Sequence, residues 1–166
     1  KKLGGGALLE LSHELDYLGW IFGDVDFVQA QLNKQSSLDI DVEDTVHTII
    51  TFKKNKKNII LIASLSLDFI RHDKVRICHI VGEKGSLRWD GMTGTIELFE
   101  SNSIGWKNIY EDSADQNQSY KNELKHFIEC VDKKKCPRIS IDDGINVLKI
   151  IDSIKQSSLT GNKVKV

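Results

Sequence analysis

A histidine flanked by acidic residues and a tyrosine lies near the start of the 166-residue sequence. Glu10 precedes His13 by three positions. Three further polar residues follow it within four positions: Glu14, Asp16 and Tyr17. Residues three and four apart on a helix are neighbours, so these side chains would cluster there. Carboxylates close to an imidazole fix its orientation, which suits it to general acid–base catalysis near neutral pH. An ordinary surface histidine on an amphipathic helix fits the same spacing, so the spacing leaves both interpretations open.

Three consecutive glycines at residues 4–6 precede this cluster. Glycine permits positive φ and lets the backbone approach a ligand closely. A helix that begins directly after them would also point unpaired N–H groups and the positive end of its dipole outward. The beginning of the sequence therefore combines a candidate ligand-contacting turn with candidate proton-transfer chemistry.

The composition is that of a globular domain and excludes several classes of function. Hydrophobic residues make up 40% and charged residues 28%, and the net charge is -1, so we expect no binding of nucleic acid or of an anionic membrane. The longest apolar run, residues 59–67, is too short to span a bilayer. The three cysteines, Cys78, Cys130 and Cys136, form no C-x-x-C pair. This predicts no disulfide framework, no metal site and a cytoplasmic location.

The elements that would position the cluster follow from the hydrophobic pattern. Apolar residues at helical spacing predict a first helix over residues 7–22, with Trp20 and Phe22 in the core. Alternating, β-branched stretches between residues 46 and 100 predict five or six antiparallel strands joined by short turns. Two closing helices follow. The second begins with a capping-box pair, Ser140 and an aspartate three positions later.

This order of elements predicts an α+β fold and excludes a doubly wound parallel sheet, because helices and strands do not alternate regularly. We expect one mostly antiparallel, open-faced sheet with helices on one face. The opposite face also appears apolar in places, through Ile49, Ile59, Leu61 and Leu65. A second copy of the chain is the simplest cover for such a face. The sequence therefore predicts a homo-oligomer that forms through the open sheet.

Several motifs occur in a fixed order along nearly the whole chain. HELDYLGWIFG occupies residues 13–23, and VGEKGSLRWD occupies residues 81–90. Residues 119–166 run from a Y-x-x-E-L-x-x-F pattern to a final S-x-x-x-G-x-x-V. Together these motifs resemble the C-terminal domain of the Gfo/Idh/MocA family of NAD(P)-dependent oxidoreductases.

The resemblance implies a reaction and a role for each residue of the cluster. It implies that hydride passes between NAD or NADP and a hydroxyl-bearing carbon of a sugar, cyclitol or sugar nucleotide, while His13 exchanges a proton with the hydroxyl. Glu10 is the implied catalytic partner of this histidine, with Glu14 and Asp16 as rivals. Glu14, Asp16 and Tyr17 are also the implied substrate contacts.

Because a glycine turn lets the backbone approach a ligand closely, Gly5 and Gly6 are predicted to contact the cofactor that the resemblance implies. The family's nucleotide-binding half is a Rossmann domain with a G-x-G-x-x-G turn and a catalytic lysine, and these 166 residues contain no such turn. We therefore expect residues 1–166 to form a single C-terminal substrate-binding and oligomerisation domain of a longer protein, inactive and without cofactor on its own. The alternative is a non-catalytic binding or dimerisation module of the same fold.

Overall fold

The computed structural model describes residues 4–112 and 117–166, and the chain divides into two compact units. The first unit comprises Lys1–Ile70 and Arg138–Val166, and the second comprises Arg71–Pro137. The elements in chain order are α1 (Ala7–Glu10), α2 (His13–Phe22), β1 (Val25–Asn33), β2 (Thr45–Phe52), β3 (Ile62–Asp68), β4 (Ile77–Gly82), β5 (Gly85–Asp90), β6 (Thr95–Glu100), β7 (Lys107–Glu111), α3 (Gln118–Lys133), α4 (Ile141–Thr160) and β8 (Val164–Lys165).

The first unit is an antiparallel sheet, in the order β3-β2-β1-β8, packed against helices. Alternate residues of β2, among them Val46, Ile50 and Phe52, are buried, while His47 and Ile49 between them are exposed. This alternation places one face of the sheet against α1 and α4 and leaves the other open. Burial of one apolar face is what holds the helices to the sheet.

Two serines of α4 complete the hydrogen bonding of β1. β8 pairs with β1 at only two positions, Phe27 and Val28. Further along β1, the N–H of Ala30 donates to the Ser157 hydroxyl at 3.0 Å, and the N–H of Leu32 donates to the Ser158 hydroxyl at 2.9 Å. The Ser157 hydroxyl in turn donates to the Asn162 carbonyl at 2.6 Å. Two side chains of a helix thus accept hydrogen bonds from backbone N–H groups of β1 that a longer β8 would otherwise have to pair.

A buried aspartate holds together the loop between β1 and β2. The Asp44 carboxylate accepts the N–H groups of Gln35 and Ser36 at 2.8 and 2.9 Å, and the Thr45 hydroxyl at 3.0 Å. The Ser36 hydroxyl donates to it as well. Burial opposes the charge, but the hydrogen bonds from Ser36, Gln35 and Thr45 outweigh it and hold the pKa of Asp44 well below its ordinary value. The main chain of Asp44 also joins Asn33 and Phe69, so one residue ties together the ends of three strands.

The second unit is a separate antiparallel sheet, in the order β4-β5-β6-β7, together with α3. Within it, the Arg88 guanidinium lies 4.7 Å from the ring centre of Trp106 and pairs with Glu97. The apolar stripe of α3 is exposed along its length: Tyr120, Leu124, Phe127, Ile128 and Val131.

The α+β class and the antiparallel pairing are confirmed, but the number of strands differs from the expectation. Residues 4–112 and 117–166 form eight strands in two four-stranded sheets, not five or six in one. The largest omission is β1, because its register shifts between Val25 and Phe27 and the shift interrupts the apolar alternation that marks a strand. The apolar residues of the open face of the first sheet also differ from the expected set, since Ile62, which pairs with Thr51, is exposed there. Ile49 is exposed there, whereas Leu61 and Leu65 pack against the core.

The first helix is broken where the sequence pattern predicts continuity. α1 ends at Glu10 and α2 begins at His13. At the junction the N–H of Ser12 bonds to the carbonyl of Leu9 and the N–H of Glu14 to that of Leu11, three positions back instead of four. Leu11 between the two helices has φ -101° and ψ 23°, which departs from helical values, so no continuous helix runs from Glu10 to His13. The argument that links these two residues assumes a continuous helix and therefore does not apply.

Replacement of Thr48 by valine is expected to stabilise the first unit by about 1 kcal/mol, since it removes a buried polar group and keeps the β-branched shape. Thr48 is 3% exposed, and among the described residues its hydroxyl has no hydrogen-bond partner. Urea unfolding would measure the change. Thr51→Val is the control, because Thr51 is half-buried on the opposite face of β2 and should give a smaller change. A Thr48→Val variant less stable than wild type would contradict the prediction.

Candidate functional site

Among the three acidic candidates, it is Glu14 that faces the histidine. His13 is the first residue of α2, with half of its side chain exposed, and its Nε2 lies 3.1 Å from Oε1 of Glu14. Glu14 is 8% exposed. A buried carboxylate is held in place by its partners, so it fixes the plane of the exposed ring. An imidazole that carries its proton on Nε2, toward Glu14, has its lone pair on Nδ1.

Glu10 lies on the other side of the break. Its side chain is exposed and turns back toward the glycines, so that a Cβ added to Gly5 would lie 3.3 Å from its Oε1. The described contacts of His13 include Glu14 and not Glu10. The structure thus brings together the histidine and one rival partner, and separates it from the residue that the resemblance favours.

The glycine turn is occupied by a carboxylate of the chain itself. Gly6 is buried at φ +104°, and a Cβ there would collide with the side chain of Glu43. The N–H of Ala7 donates to the Glu43 carbonyl at 3.0 Å, and the N–H of Leu8 donates to its Oε1 at 3.2 Å. These residues therefore do not fit a pyrophosphate cradle, since the donors that a phosphate needs are taken. Contact of Gly5 and Gly6 with a cofactor stays a prediction, and such a contact would have to use groups other than the N–H groups of Ala7 and Leu8.

A groove of about 600 Å³ lies beside α2 and α4 in the first unit. Its polar and aromatic lining includes Asp16, Tyr17, Trp20, Asp24, Lys53, Arg138, Asn146 and Lys149. His13, Tyr17 and Trp20 are four and three positions apart along α2 and share one helical face. The groove therefore begins about one helical turn from the imidazole.

Trp20 is exposed, and the prediction that it lies in the core is wrong. Its side chain is 86% accessible and lines the groove, whereas Phe22 packs against Phe52 at 5.5 Å between ring centres. The sequence signal that could have identified Trp20 as a groove residue is its helical spacing from His13, because both residues lie on one face of α2. No comparable local signal existed for Asn146 and Lys149, because α4 reaches the groove through the tertiary fold.

Charges in the groove are partly neutralised within the chain. Lys53 Nζ lies 3.2 Å from Oδ2 of Asp24. Asp143 accepts the N–H and the hydroxyl of Ser140, each at 2.7 Å, and its pKa is lowered by the backbone bond first and the hydroxyl bond second. The groove thus presents a ligand with hydrogen-bonding groups beside the exposed indole of Trp20. Such a combination suits a polyhydroxylated ring better than a purely apolar ligand.

Residues 4–112 and 117–166 contain no cluster of three or more His, Cys, Asp or Glu side chains arranged to hold a metal ion. None of the helices they form has the length and apolar character needed to cross a membrane.

Comparison with solved structures gives several similar folds at low sequence identity. Levoglucosan dehydrogenase in complex with NADH and levoglucosan has a TM-score of 0.83 and 20% identity, and the match covers 98% of this chain and 50% of that one. For an aldose–aldose oxidoreductase from Caulobacter crescentus complexed with glycerol, the TM-score is 0.78 at 20% identity, with coverages of 98% and 48%. For an NAD binding oxidoreductase from Klebsiella pneumoniae, the TM-score is 0.81 at 14% identity, with coverages of 98% and 51%. The chain spans about half the length of these proteins.

The sequence itself matches a family over its entire length. No curated protein shows significant similarity to it. The model that describes the C-terminal alpha/beta domain of the Gfo/Idh/MocA oxidoreductases nevertheless matches residues 1–166. With that match and the shared fold, the chain belongs to the Gfo/Idh/MocA oxidoreductase family, as its C-terminal alpha/beta domain.

Proposed function

We propose that this domain supplies the substrate contacts and the proton-transfer group of an oxidoreductase that acts on a hydroxyl-bearing carbon of a sugar, cyclitol or sugar nucleotide. The observation that carries the proposal is the contact between His13 and the buried Glu14, one helical turn from an open groove with hydrogen-bonding groups and an indole. Support also comes from the family, and from levoglucosan dehydrogenase, a protein of the same fold solved with NADH and levoglucosan.

The chain's own part in the reaction is proton transfer and orientation. NAD(P), whose nucleotide is bound outside this domain, supplies the hydride-accepting chemistry. As the substrate carbon is oxidised, its hydroxyl must lose a proton, and His13 accepts that proton at Nδ1. Glu14 at Nε2 holds the ring in place and stabilises the imidazolium that results. Asp16 and Tyr17 line the groove on the next turn of α2, and in this proposal they bind the remaining hydroxyls.

We further propose that a Rossmann domain elsewhere in the protein binds the nucleotide. The 166 residues hold no G-x-G-x-x-G turn, and the chain spans about half the length of its structural relatives. On this proposal the domain binds substrate and joins subunits into a homo-oligomer through its open sheet, and it is inactive alone. The sparse cysteines favour a cytoplasmic setting.

A substrate screen on the complete protein tests the proposed reaction. Purified protein is mixed with NAD or NADP and with a panel of sugars, cyclitols and sugar nucleotides, and reduced nicotinamide is followed by its absorbance. We expect turnover with at least one of them. Ligands that bind in calorimetry while no nicotinamide is ever reduced would instead support the non-catalytic module.

Replacement of Trp20 by alanine is expected to raise KM for the substrate about tenfold with little change in kcat, since about 1.4 kcal/mol of ring stacking corresponds to that factor. The indole is exposed at the groove, so the fold should not depend on it. Ile21→Ala is the matched control. It removes a neighbouring exposed side chain that does not line the groove and should leave KM unchanged. Equal KM values for wild type and Trp20→Ala would place the substrate elsewhere.

A further inference from the structure

The side chain of Cys130 approaches the backbone of Cys136 at the end of α3, in the second unit. Cys130 is half-buried in the last turns of the helix, and Cys136 is exposed just beyond it. The Cys130 sulfur lies 3.9 Å from the backbone carbonyl oxygen of Cys136. His126, one turn earlier in α3, places its Nε2 3.5 Å from the same sulfur. Cys78, on β4, lies outside this group.

The backbone at the end of the helix creates this approach. Lys134 adopts the left-handed conformation at φ 50° and ψ 43°. The N–H of Lys134 bonds to the carbonyl of Val131, and the N–H of Lys135 bonds to that of Cys130. This pair of bonds is a Schellman motif, which ends a helix by turning the chain back on it. Cys136 follows immediately and is therefore held beside the final turns of the helix that it has just left.

The geometry points to a peroxide-reactive thiol pair in which Cys130 is oxidised first and Cys136 resolves it. This inference stands apart from the proposed oxidoreductase function. Thiolate is the nucleophilic form of cysteine, and the imidazole of His126 is close enough to accept the proton of the Cys130 thiol. The exposed Cys136 can reach an oxidised sulfur at residue 130 without any long loop having to close.

The chemistry balances with hydrogen peroxide as the oxidant. The Cys130 thiolate attacks one peroxide oxygen, the O–O bond breaks, and hydroxide leaves and takes up the proton held by His126 to become water. Cys130 is now a sulfenic acid. The Cys136 sulfur attacks it, the S–S bond forms, the S–O bond breaks, and a second water leaves with the Cys136 proton. Two thiols are oxidised to one disulfide, and one peroxide is reduced to two waters.

The test uses the lysines between the two cysteines. Reduced full-length protein is treated with graded hydrogen peroxide, its remaining thiols are blocked with a maleimide, and it is digested with trypsin. Because trypsin cleaves after Lys133, Lys134 and Lys135, the peptides that carry Cys130 and Cys136 stay joined only through a disulfide. We expect the joined peptide at peroxide doses that leave Cys78 blocked by the maleimide.

Variants separate the roles within the pair. Cys78→Ser is the matched control and should give the joined peptide as wild type does. Cys130→Ser should give none, and Cys136→Ser should stop at a sulfenic acid that dimedone traps at Cys130. His126→Gln should slow formation several-fold, and an unchanged rate would overturn the assigned role of the imidazole. Oxidation of Cys78 as fast as Cys130, or a pair that forms as fast in urea as in the folded protein, would overturn the proposal.

Discussion

Replacement of His13 by alanine is expected to lower kcat of the complete protein in the proposed reaction by roughly 10²–10⁴-fold, the usual contribution of a positioned general acid–base group. Half of the side chain is exposed and its recorded contact is with Glu14, so the fold should survive the change. NAD(P) affinity, measured by fluorescence titration, and Tm should stay near wild type. A loss of kcat with intact cofactor binding separates a role in proton transfer from a role in structure.

A matched control for this substitution is His47→Ala. His47 is also exposed, and its Nδ1 lies 2.9 Å from the Ser66 hydroxyl on the open face of the first sheet. The His47→Ala variant should leave kcat unchanged. The rival carboxylates can be compared as Glu10→Gln and Glu14→Gln, and the contact geometry predicts the larger loss for Glu14. Wild-type kcat in His13→Ala would remove this histidine from the mechanism.

Replacement of Asp44 by alanine is expected to lower Tm by roughly 10 °C, because four charge-assisted hydrogen bonds are lost and buried donors are left without an acceptor. The carboxylate connects the loop after β1 to the start of β2, so the loss should loosen both. Thermal unfolding followed by circular dichroism would measure the shift. Asp41→Ala is the control, because Asp41 is an exposed residue of the same loop. Wild-type Tm in Asp44→Ala would contradict the prediction.

The same carboxylate should make stability depend on acid. The folded-state pKa of Asp44 lies well below the ordinary aspartate value of about 3.9, so the unfolded chain binds more protons between the two. The contribution of Asp44 is therefore complete above about pH 5 and is lost as the pH falls through about 4 toward the folded pKa. Asp44→Asn should flatten this part of the curve of Tm against pH. An unchanged slope in that variant would assign the acid sensitivity to other carboxylates.

Features that depend on a few adjacent residues were predictable from the sequence. The capping box of α4 forms as expected, with the N–H of Asp143 donating to Ser140 and the N–H of Ser140 donating to Asp143. Both partners lie within one turn, so their side-chain chemistry decides the outcome locally. The antiparallel β-hairpins after residue 76 were likewise foreseeable from short turns between alternating stretches.

Features that depend on distant contacts were not predictable. α1 is anchored by Glu43, 35 positions along the chain, whose carbonyl and carboxylate hold the N–H groups of Ala7 and Leu8. No local pattern near residue 10 contains that information. The candidate histidine could thus be identified from the sequence, but the carboxylate that faces it could not be identified in the same way. Which carboxylate faces His13 depends on how α2 begins after the break between the two helices, whereas the helical spacing rule assumes one continuous helix.

The two hydroxyls of α4 that bond to β1 restrict how copies of the chain can associate. Because Ser157 and Ser158 already accept the N–H groups of Ala30 and Leu32, an incoming β-strand would find few open donors along that border. On this side of the described sheet, strand pairing between molecules is thereby limited to the two residues of β8, and β3 is the other edge. An association of copies through this sheet would therefore be made along β3 or face to face, through side chains.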